Sequence, residues 1–436
     1  MRMFILASTS EHLLVVVLLQ LAIIIAVARA CGLLIRRIRQ PAVVGEIAAG
    51  LILGPSVLGK IERWTWGDHR ISLAIFDPAV SPIFTILSQL GLILLLFLVG
   101  LEFDFSHLRT GHRKALAISA AGAVLPFGMG YALGPFVLPY LETPVEVHGF
   151  SLFLGTAMAI TAMPVLARMM IDFNITRTRL AAITISAAAV NDAVGWIVLA
   201  AVSAVVNAKY DPWGSLRMAL LTLGFGAAMV LVVRPVLGRW ARWAMARGKG
   251  EIGLTSLAFL LIVIFLAAIA TSLIGIFAIF GAFILGAALS GEHQFREAVS
   301  RRLRDFVMVF FLPVFFTYTG LRTDVGTLDT RALWLLAAAA CAVAVAGKFG
   351  GCSIAARATG MTWRESLCVG SLMNTRGLME LIVINVGLDL GVIPHSVYCM
   401  LVLMAVATTL MTAPLLFAFH KGTELEAPMR GKMPAP

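Results

Sequence analysis

Long apolar runs separated by short polar segments make up most of this chain. Runs of about 17 to 25 mostly apolar residues, the length that crosses a bilayer as a helix, occur thirteen times. The eighth and ninth form one continuous run, which we divide at Ile274-Gly275. The pattern therefore predicts an all-α polytopic membrane protein with about 13 transmembrane helices, near residues 12–35, 41–58, 82–103, 115–137, 148–171, 179–206, 214–235, 252–271, 273–291, 305–322, 332–356, 365–388 and 393–419.

The basic residues test this span count and orient the chain. Of the 34 Lys and Arg residues, 23 fall in the loops after odd-numbered spans or in the tail at 420–436, and eight fall on the opposite side. Cytoplasmic loops of membrane proteins carry the excess of Lys and Arg. We therefore predict a multi-pass protein of the cell inner or plasma membrane, with its N-terminus outside and a short cytoplasmic tail.

Composition agrees with a membrane class and excludes others. Apolar residues make up 60% of the chain and charged residues 13%, against about 25% charged in a soluble domain. The net charge of +11 is what cytoplasmic loops produce, so we expect lipid rather than nucleic acid as the partner. No metalloprotease, esterase or phosphate-loop motif is present, and the five cysteines stand singly. We expect neither an enzyme nor a cofactor.

Three pairs of segments in the two halves of the chain resemble each other, in the same order. Each pair joins spans that are seven apart, and an odd separation means that the two copies cross the membrane in opposite directions. Chance likeness between apolar segments is the alternative, but it explains three ordered pairs poorly. The pairs predict the inverted repeats of secondary transporters: 151–158 with 366–373, 49–59 with 281–291, and 99–104 with 319–324.

Two of the matched spans are interrupted at corresponding places. Proline removes a backbone donor and glycine tolerates unwound backbone. We therefore predict two broken helices whose freed carbonyls and helix ends suit a small ion. The interruptions are Thr161, Ala162, Met163 and Pro164 in the fifth span, and Asn374, Thr375, Arg376 and Gly377 in the twelfth.

Asp192 lies midway along the sixth predicted span. A carboxylate there is costly, and Asn or Ser could make a structural hydrogen bond at lower desolvation cost. This favours a group that alternately binds a proton and a metal cation, with a structural hydrogen bond as the alternative. Asn191 points about 100° away on the same helix, and it is either a ligand through its amide oxygen or a polar contact between helices.

Other charges inside spans have two interpretations each. Lys348 either reaches the interface by snorkelling or faces the interior, which the surrounding glycines favour. Arg376 and Glu380 are four residues apart and share a face if the segment is helical. We expect them to pair with each other or with the broken helix ends as scaffolding rather than to bind the ion. Glu46 in the second span is expected to be a structural or cytoplasmic-entrance residue.

Several motifs in order resemble one transporter family across about residues 10–419. The chain looks like a monovalent cation:proton antiporter of the sodium/hydrogen exchanger type, and its closest likeness is to the bacterial and plant cation/proton exchanger branch. The motifs are QPAVVGEIAAGLILGPSVLG (40–59), FLVGLEFD (97–104), TAMPVLARMM (161–170), the Asn191-Asp192 pair, FFLPVFFTYTGLRTD (310–324) and MNTRGLMELIVINVGLDLGVI (373–393).

This resemblance implies a homodimer in which each protomer has a dimerisation part and a moving core with two crossing broken helices. Spans 1–3 and 8–10 (about 10–105 and 252–322) would form the former. Spans 4–6 and 11–13 (about 113–206 and 332–419) would form the latter, with span 7 linking them. The resemblance also makes Asp192 the ion and proton carrier and places Lys348 opposite position 191.

One departure from the family pattern bears on charge balance. Members that move net charge commonly carry two adjacent aspartates, whereas this chain has Asn191 before Asp192 and keeps the lysine. We expect electroneutral exchange of protons for Na⁺ or K⁺ by elevator-like alternating access. The alternatives are a sodium-coupled organic-anion symporter of similar architecture, an ion channel, or a membrane sensor that does not transport.

Overall fold

The computed structural model describes residues 9–37, 40–58, 81–102, 113–141, 143–207, 212–248 and 250–430. Within these ranges the chain is helical and contains no strand. The helices are α1 (Thr9–Arg37), α2 (Ala42–Leu53), α3 (Ser81–Glu102), α4 (Arg113–Val137), α5 (Val147–Ala159), α6 (Met163–Asp172), α7 (Arg179–Asn207), α8 (Pro212–Ala228), α9 (Arg234–Arg247), α10 (Leu254–Ile274), α11 (Ala278–Leu289), α12 (His293–Phe306), α13 (Leu312–Leu321), α14 (Arg331–Val345), α15 (Gly351–Ala358), α16 (Trp363–Met373), α17 (Leu378–Asp389), α18 (His395–Phe419) and α19 (Glu426–Arg430).

The predicted apolar runs coincide with helices. Short π-helical turns join α8 to α9, α12 to α13 and α14 to α15 into long rods. Among the described residues, nine helices are long and apolar enough to cross a membrane, or ten when α16 and α17 are taken as one bent span. The prediction of an all-α polytopic membrane protein is confirmed.

Three of the thirteen predicted spans rest on shorter helices. α2 and α11 have 12 residues each and α5 has 13, whereas a straight crossing takes about 20. α2 ends at Leu53 because Pro55 disfavours helical backbone at Gly54, which is extended. The predicted division between spans eight and nine is correct: α10 ends at Ile274, and Gly275 follows in the left-handed region with φ 102°, where glycine is favoured.

The helix ends agree with the predicted inverted repeat. The matched segments 151–158 and 366–373 both lie at the C-terminal ends of broken-helix halves, α5 and α16. The matched segments 49–59 and 281–291 begin within the two 12-residue helices, α2 and α11. In the third pair α3 ends at Glu102 and α13 at Leu321; residues 59, 103 and 104 of these segments lie outside the described part of the chain.

The helices pack as two bundles. The first bundle consists of α1–α3, α10, α11 and α13, with α3 lying along α11 and α2 between α1 and α13. The second bundle consists of α4–α7 and α14–α18, in which α4 contacts α5, α7 and α15. The α8–α9 rod contacts α7 of the second bundle and α10 and α11 of the first. Each bundle thus combines helices from both halves of the sequence.

Candidate ion-binding site

Two helix breaks meet inside the second bundle. The first break separates α5 from α6 at 160–162, and the second separates α16 from α17 at 374–377. The main-chain N–H of Ala162 donates to the carbonyl of Thr375 at 3.2 Å, so the breaks are in direct contact. α17 departs from the direction of α16 by 43°. Gly377 has φ 150°, a left-handed conformation that a side chain would strain.

Polar groups of α18 supply hydrogen-bond partners to the second break. Thr409 donates its hydroxyl to the carbonyl of Arg376 at 2.8 Å and accepts from the N–H of the same residue at 3.2 Å. Thr412 accepts from the Thr375 hydroxyl at 3.4 Å, and the Thr408 carbonyl accepts from Asn374. Sequence reasoning missed these residues, although three threonines at spacing i, i+1 and i+4 in an apolar helix mark one polar stripe.

Two cationic side chains cover the C-terminal end of α5. The last carbonyls of a helix lack intrahelical partners and carry partial negative charge. Arg376 donates to the carbonyls of Ala157 at 2.9 Å and Met158 at 2.6 Å, and Lys348 donates to that of Ala159. Both side chains are fully buried. The first break is therefore stabilised by two positive charges. Lys348 comes from the π-helical turn before α15, and Arg376 comes from the second break.

Lys348 faces the interior and does not snorkel. It lies on the π-helical turn 346–350 between α14 and α15, with no solvent exposure. Besides Ala159, its ammonium donates to the carbonyl of Gly122 at 2.7 Å and to Oδ1 of Asn191 at 3.0 Å. An ammonium has three donors, and each one has an acceptor here.

Asn191 connects α7 to the first break and to Lys348. Its Oδ1 accepts from Lys348 and from the Thr161 hydroxyl, both at 3.0 Å, while its amide nitrogen donates to the Ser119 carbonyl at 3.4 Å. The side chain is 1% exposed. Asn191 is therefore a neutral junction that links α7 to α4, to the first break and to the turn that carries Lys348.

Asp192 stands next to this network without joining it. Its residue is 3% exposed, and neither carboxylate oxygen has a hydrogen-bond partner among the described residues. The main-chain N–H of Met163, at the N-terminal end of α6, faces the carboxylate as a weak donor, and the charge of Lys348 acts on it from a distance. A buried group whose role was a structural hydrogen bond would have a partner, so this geometry favours a carboxylate left free for a ligand.

The remaining predicted residues lie on α17, α2 and α6. Glu380, in the first turn of α17, accepts from Arg376 at 2.9 Å, and both side chains are buried. Glu46 belongs to α2 in the first bundle, is 6% exposed, and has one carboxylate oxygen without a partner in the described chain. Pro164 stands in the first turn of α6. No three His, Cys, Asp or Glu side chains within the described ranges could hold a resident metal.

Comparison with known proteins identifies the family. The family model described as sodium/hydrogen exchanger, transmembrane, matches residues 22–418. The chain belongs to this family. Its members are transporters, which agrees with the absence of catalytic motifs from the sequence.

Named relatives of this exchanger-family chain include bacterial and plant proteins. The Na(+)/H(+) antiporter NhaS4 of Synechocystis is 39% identical over 93% of this chain and 98% of its own length. Cation/H(+) antiporter 17 of Arabidopsis thaliana is 36% identical over 94% of this chain, but the chain spans only 49% of that relative. Among solved structures, the sodium proton antiporter MjNhaP1 of Methanocaldococcus jannaschii shares the fold, with a TM-score of 0.62, 14% identity, and coverage of 92% of this chain and 96% of that one.

Proposed function

We propose that this exchanger-family chain is a secondary active antiporter that exchanges a monovalent cation, Na⁺ or K⁺, for protons at Asp192. The observation that carries the proposal is the buried Asp192 carboxylate, which makes no side-chain hydrogen bond within the described part of the chain, beside two helix breaks in contact. A carboxylate can hold either a proton or a cation. The Synechocystis relative, which the chain matches over 98% of its length, is named as a Na(+)/H(+) antiporter, and this supports the proposed class of reaction.

The residues around Asp192 divide the work of the site. Thr161 and Asn191, which are hydrogen-bonded to each other at 3.0 Å, supply the neutral oxygen ligands that an alkali cation accepts. Arg376, Glu380 and the α18 threonines hold the breaks open and keep the surrounding backbone polar groups satisfied. Glu46 is proposed as a cytoplasmic-entrance residue on the first bundle.

Alternating access is proposed to come from movement of the second bundle against the first. The second bundle contains Asp192 and both breaks, and its internal polar contacts can move as one unit. The first bundle would be the stationary part and would join two protomers in a homodimer. This division is supported by packing, because most helix contacts lie within a bundle and the α8–α9 rod links the two.

The reaction itself is tested by proton flux in proteoliposomes. We expect an inward gradient of Na⁺ or K⁺ to drive saturable proton efflux, even against a proton gradient. Each alkali cation, supplied in turn, establishes selectivity. Cation flux that does not saturate or that moves no protons in exchange would indicate a channel. Cation-dependent uptake of an organic anion would indicate a symporter, and no flux with any cation would support a sensor.

Exchange is expected to be electroneutral, one proton for one cation. Asn191 cannot ionise, and all three donors of Lys348 already have acceptors that are independent of Asp192. We infer that Lys348 stays protonated while Asp192 alone changes partner, so both half-cycles move the same charge. A membrane potential acts with about 2.3 kcal/mol per charge per 100 mV, so net charge movement is easily detected.

The measurement is exchange rate and reversal point in proteoliposomes whose voltage is clamped, with valinomycin for Na⁺ or with an anion pathway if K⁺ is the substrate. Both quantities should stay constant as the potential changes. A reversal point that shifts with potential would contradict one-for-one exchange and identify Lys348 as a second proton carrier.

The orientation is proposed from the arginine-rich loops: N-terminus outside, C-terminus cytoplasmic, in the inner or plasma membrane. A cysteine at Asp329, between α13 and α14, should react from outside with a thiol reagent that does not cross the membrane. A cysteine at Glu251, between α9 and α10, should react only from the cytoplasm. Labelling of both from one side would contradict this topology. The loop 59–80, also expected outside, lies beyond the described residues.

A further inference from the structure

A polar cluster joins the two bundles at the helix ends remote from the arginine-rich loops. Arg322, directly after α13 of the first bundle, forms an ion pair with Asp389 of α17 at 2.7 Å and donates to Oδ1 of Asn385 at 3.1 Å. Both charged side chains are partly exposed, at 21% and 31%. α17 belongs to the second bundle, so these contacts cross between the two.

The same short stretch of the first bundle makes two more contacts to the second. The amide nitrogen of Asn385 donates to the Thr319 hydroxyl at 3.0 Å, and the buried Tyr398 hydroxyl of α18 donates to the Thr319 carbonyl at 3.1 Å. The Arg322 guanidinium also lies over the rings of Tyr318 and Tyr398, 5.8 and 5.9 Å from their centroids. Residues 319–322 are thus a single polar attachment point for α17 and α18.

These contacts differ in kind from those at the ion-binding site. The bonds of Lys348, Asn191 and Arg376 lie within the second bundle and would survive its movement. At another place the bundles meet through an apolar surface, Trp196 of α7 against Phe280 and Phe283 of α11, which can slide. Among the described residues, one further hydrogen bond crosses between the bundles away from this cluster, from the Gln40 amide before α2 to the carbonyl of Leu410 in α18 at 3.2 Å. Hydrogen bonds of 2.7 to 3.1 Å between the bundles cannot stretch by several ångströms and remain bonds.

A cavity adjoins this cluster. It has a volume of about 370 Å³ and lies between α3, the α10–α11 junction, α13 and α17. Arg322, Asn385 and Asp389 form one wall, and Ser88 of α3 contributes a buried hydroxyl with no partner in the described chain. The lining is largely apolar, but the cavity is larger than a water molecule and has these polar groups on its walls, so it can admit water, which an ion path between the two bundles requires.

We propose that Arg322, Asp389 and Asn385 form the outer gate of the exchanger, closed in this structure, and that the adjoining cavity is its outer vestibule. The proposal rests on the proposed alternating access. In each cycle the four contacts at residues 319–322 break, α17 and α18 move away from α13, and the vestibule becomes continuous with the path to Asp192. The gate residues position the two bundles and do not bind the transported ion.

Reversible crosslinking tests the gate directly. A cysteine-free chain carrying Arg322→Cys and Asp389→Cys is placed in proteoliposomes and treated with a short bifunctional methanethiosulfonate. We expect exchange before treatment, loss of at least nine-tenths of it after crosslinking, and recovery with a reductant. The matched control is Ser56→Cys with Thr323→Cys, whose parent residues contact each other within the first bundle at 2.8 Å. Crosslinking this pair should leave exchange unchanged.

A second measurement does not depend on crosslinking. Removing the gate contacts by Arg322→Gln or Asp389→Asn should raise the population of the outer-open state, and a fivefold rise lowers the apparent KM for the outer cation by about fivefold. The KM for the cation on the cytoplasmic side should rise. Labelling of Ser88→Cys from outside should also become severalfold faster. A merely structural contact would not move the two KM values in opposite directions.

The outcomes separate the gate from the proposed function. Absence of exchange in the parent chain would overturn the antiporter proposal. Exchange in the parent that survives confirmed crosslinking of positions 322 and 389 would overturn the gate alone. Unchanged KM values and an unchanged labelling rate in Arg322→Gln and Asp389→Asn would also overturn it.

Discussion

Asp192→Asn is expected to abolish cation:proton exchange while leaving a folded protein. The asparagine keeps the shape of the side chain but loses the group that titrates, so neither proton nor cation is carried. Folding should not suffer, because neither carboxylate oxygen has a hydrogen-bond partner in the described chain and burying an amide costs less than burying a charge. The measurement is cation-driven proton flux in proteoliposomes, beside the thermal unfolding midpoint in detergent.

The matched control is Asp329→Asn, which makes the same chemical change at an exposed position between α13 and α14. This variant should exchange like the parent. Near-normal flux in Asp192→Asn would overturn the central proposal. Loss of flux together with a much lower unfolding midpoint would contradict the inference that Asp192 has no structural role.

Local sequence patterns were sufficient for the broken helices. Pro164 and Gly377 interrupt apolar runs at corresponding positions, and both interruptions coincide with helix ends in the structure. The split at Gly275 is likewise local, because one glycine in the left-handed region ends a helix. These features depend on backbone conformation within a few residues, and such information is contained in the neighbouring sequence.

The contacts that complete the site could not be read in the same way. Lys348 reaches Ala159, 189 residues away, and Arg376 reaches Ala157, 219 residues away. Periodicity places each residue on its own helix but does not tell which distant helix end it will meet. For this reason the sequence alone could not tell whether Lys348 lies at the membrane interface or in the protein interior. The packing of α14 and α15 against α4 places it in the interior.

Helix length was the weakest part of the sequence prediction. Apolar runs at 41–58 and 273–291 are long enough to span, yet α2 and α11 stop after 12 residues. Close packing between helices explains part of the apolar, glycine-rich composition of these two segments. A Cβ on Gly50 of α2 would lie 2.1 Å from the carbonyl of Thr317, and one on Gly286 of α11 would lie 2.2 Å from that of Phe97. Apolar, glycine-rich sequence there reflects burial between helices rather than contact with lipid.

Arg376→Met is expected to lower the free energy of unfolding by about 3 to 5 kcal/mol, the usual cost of removing one partner of a buried ion pair. Methionine fills similar space without a donor. It leaves the Glu380 carboxylate unpaired and the carbonyls of Ala157 and Met158 without the donor that covers them. The measurement is unfolding in detergent followed by tryptophan fluorescence, with Arg331→Met, an exposed arginine at the start of α14, as the matched control.

Glu380 separates the two roles of Arg376. In Glu380→Gln the guanidinium still donates to both helix-end carbonyls, and it donates to an amide oxygen in place of the carboxylate. We therefore expect a smaller loss in the free energy of unfolding, about 1.5 to 3 kcal/mol, the usual contribution of a hydrogen bond to a charged group. Replacing both residues with Met removes the unpaired carboxylate and should be less destabilising than the sum of Arg376→Met and Glu380→Met, since directly paired residues are not additive. It should still be less stable than the parent, because the end of α5 stays uncovered. A double variant as stable as the parent would show that the ion pair, and not the covering of α5, is what Arg376 contributes.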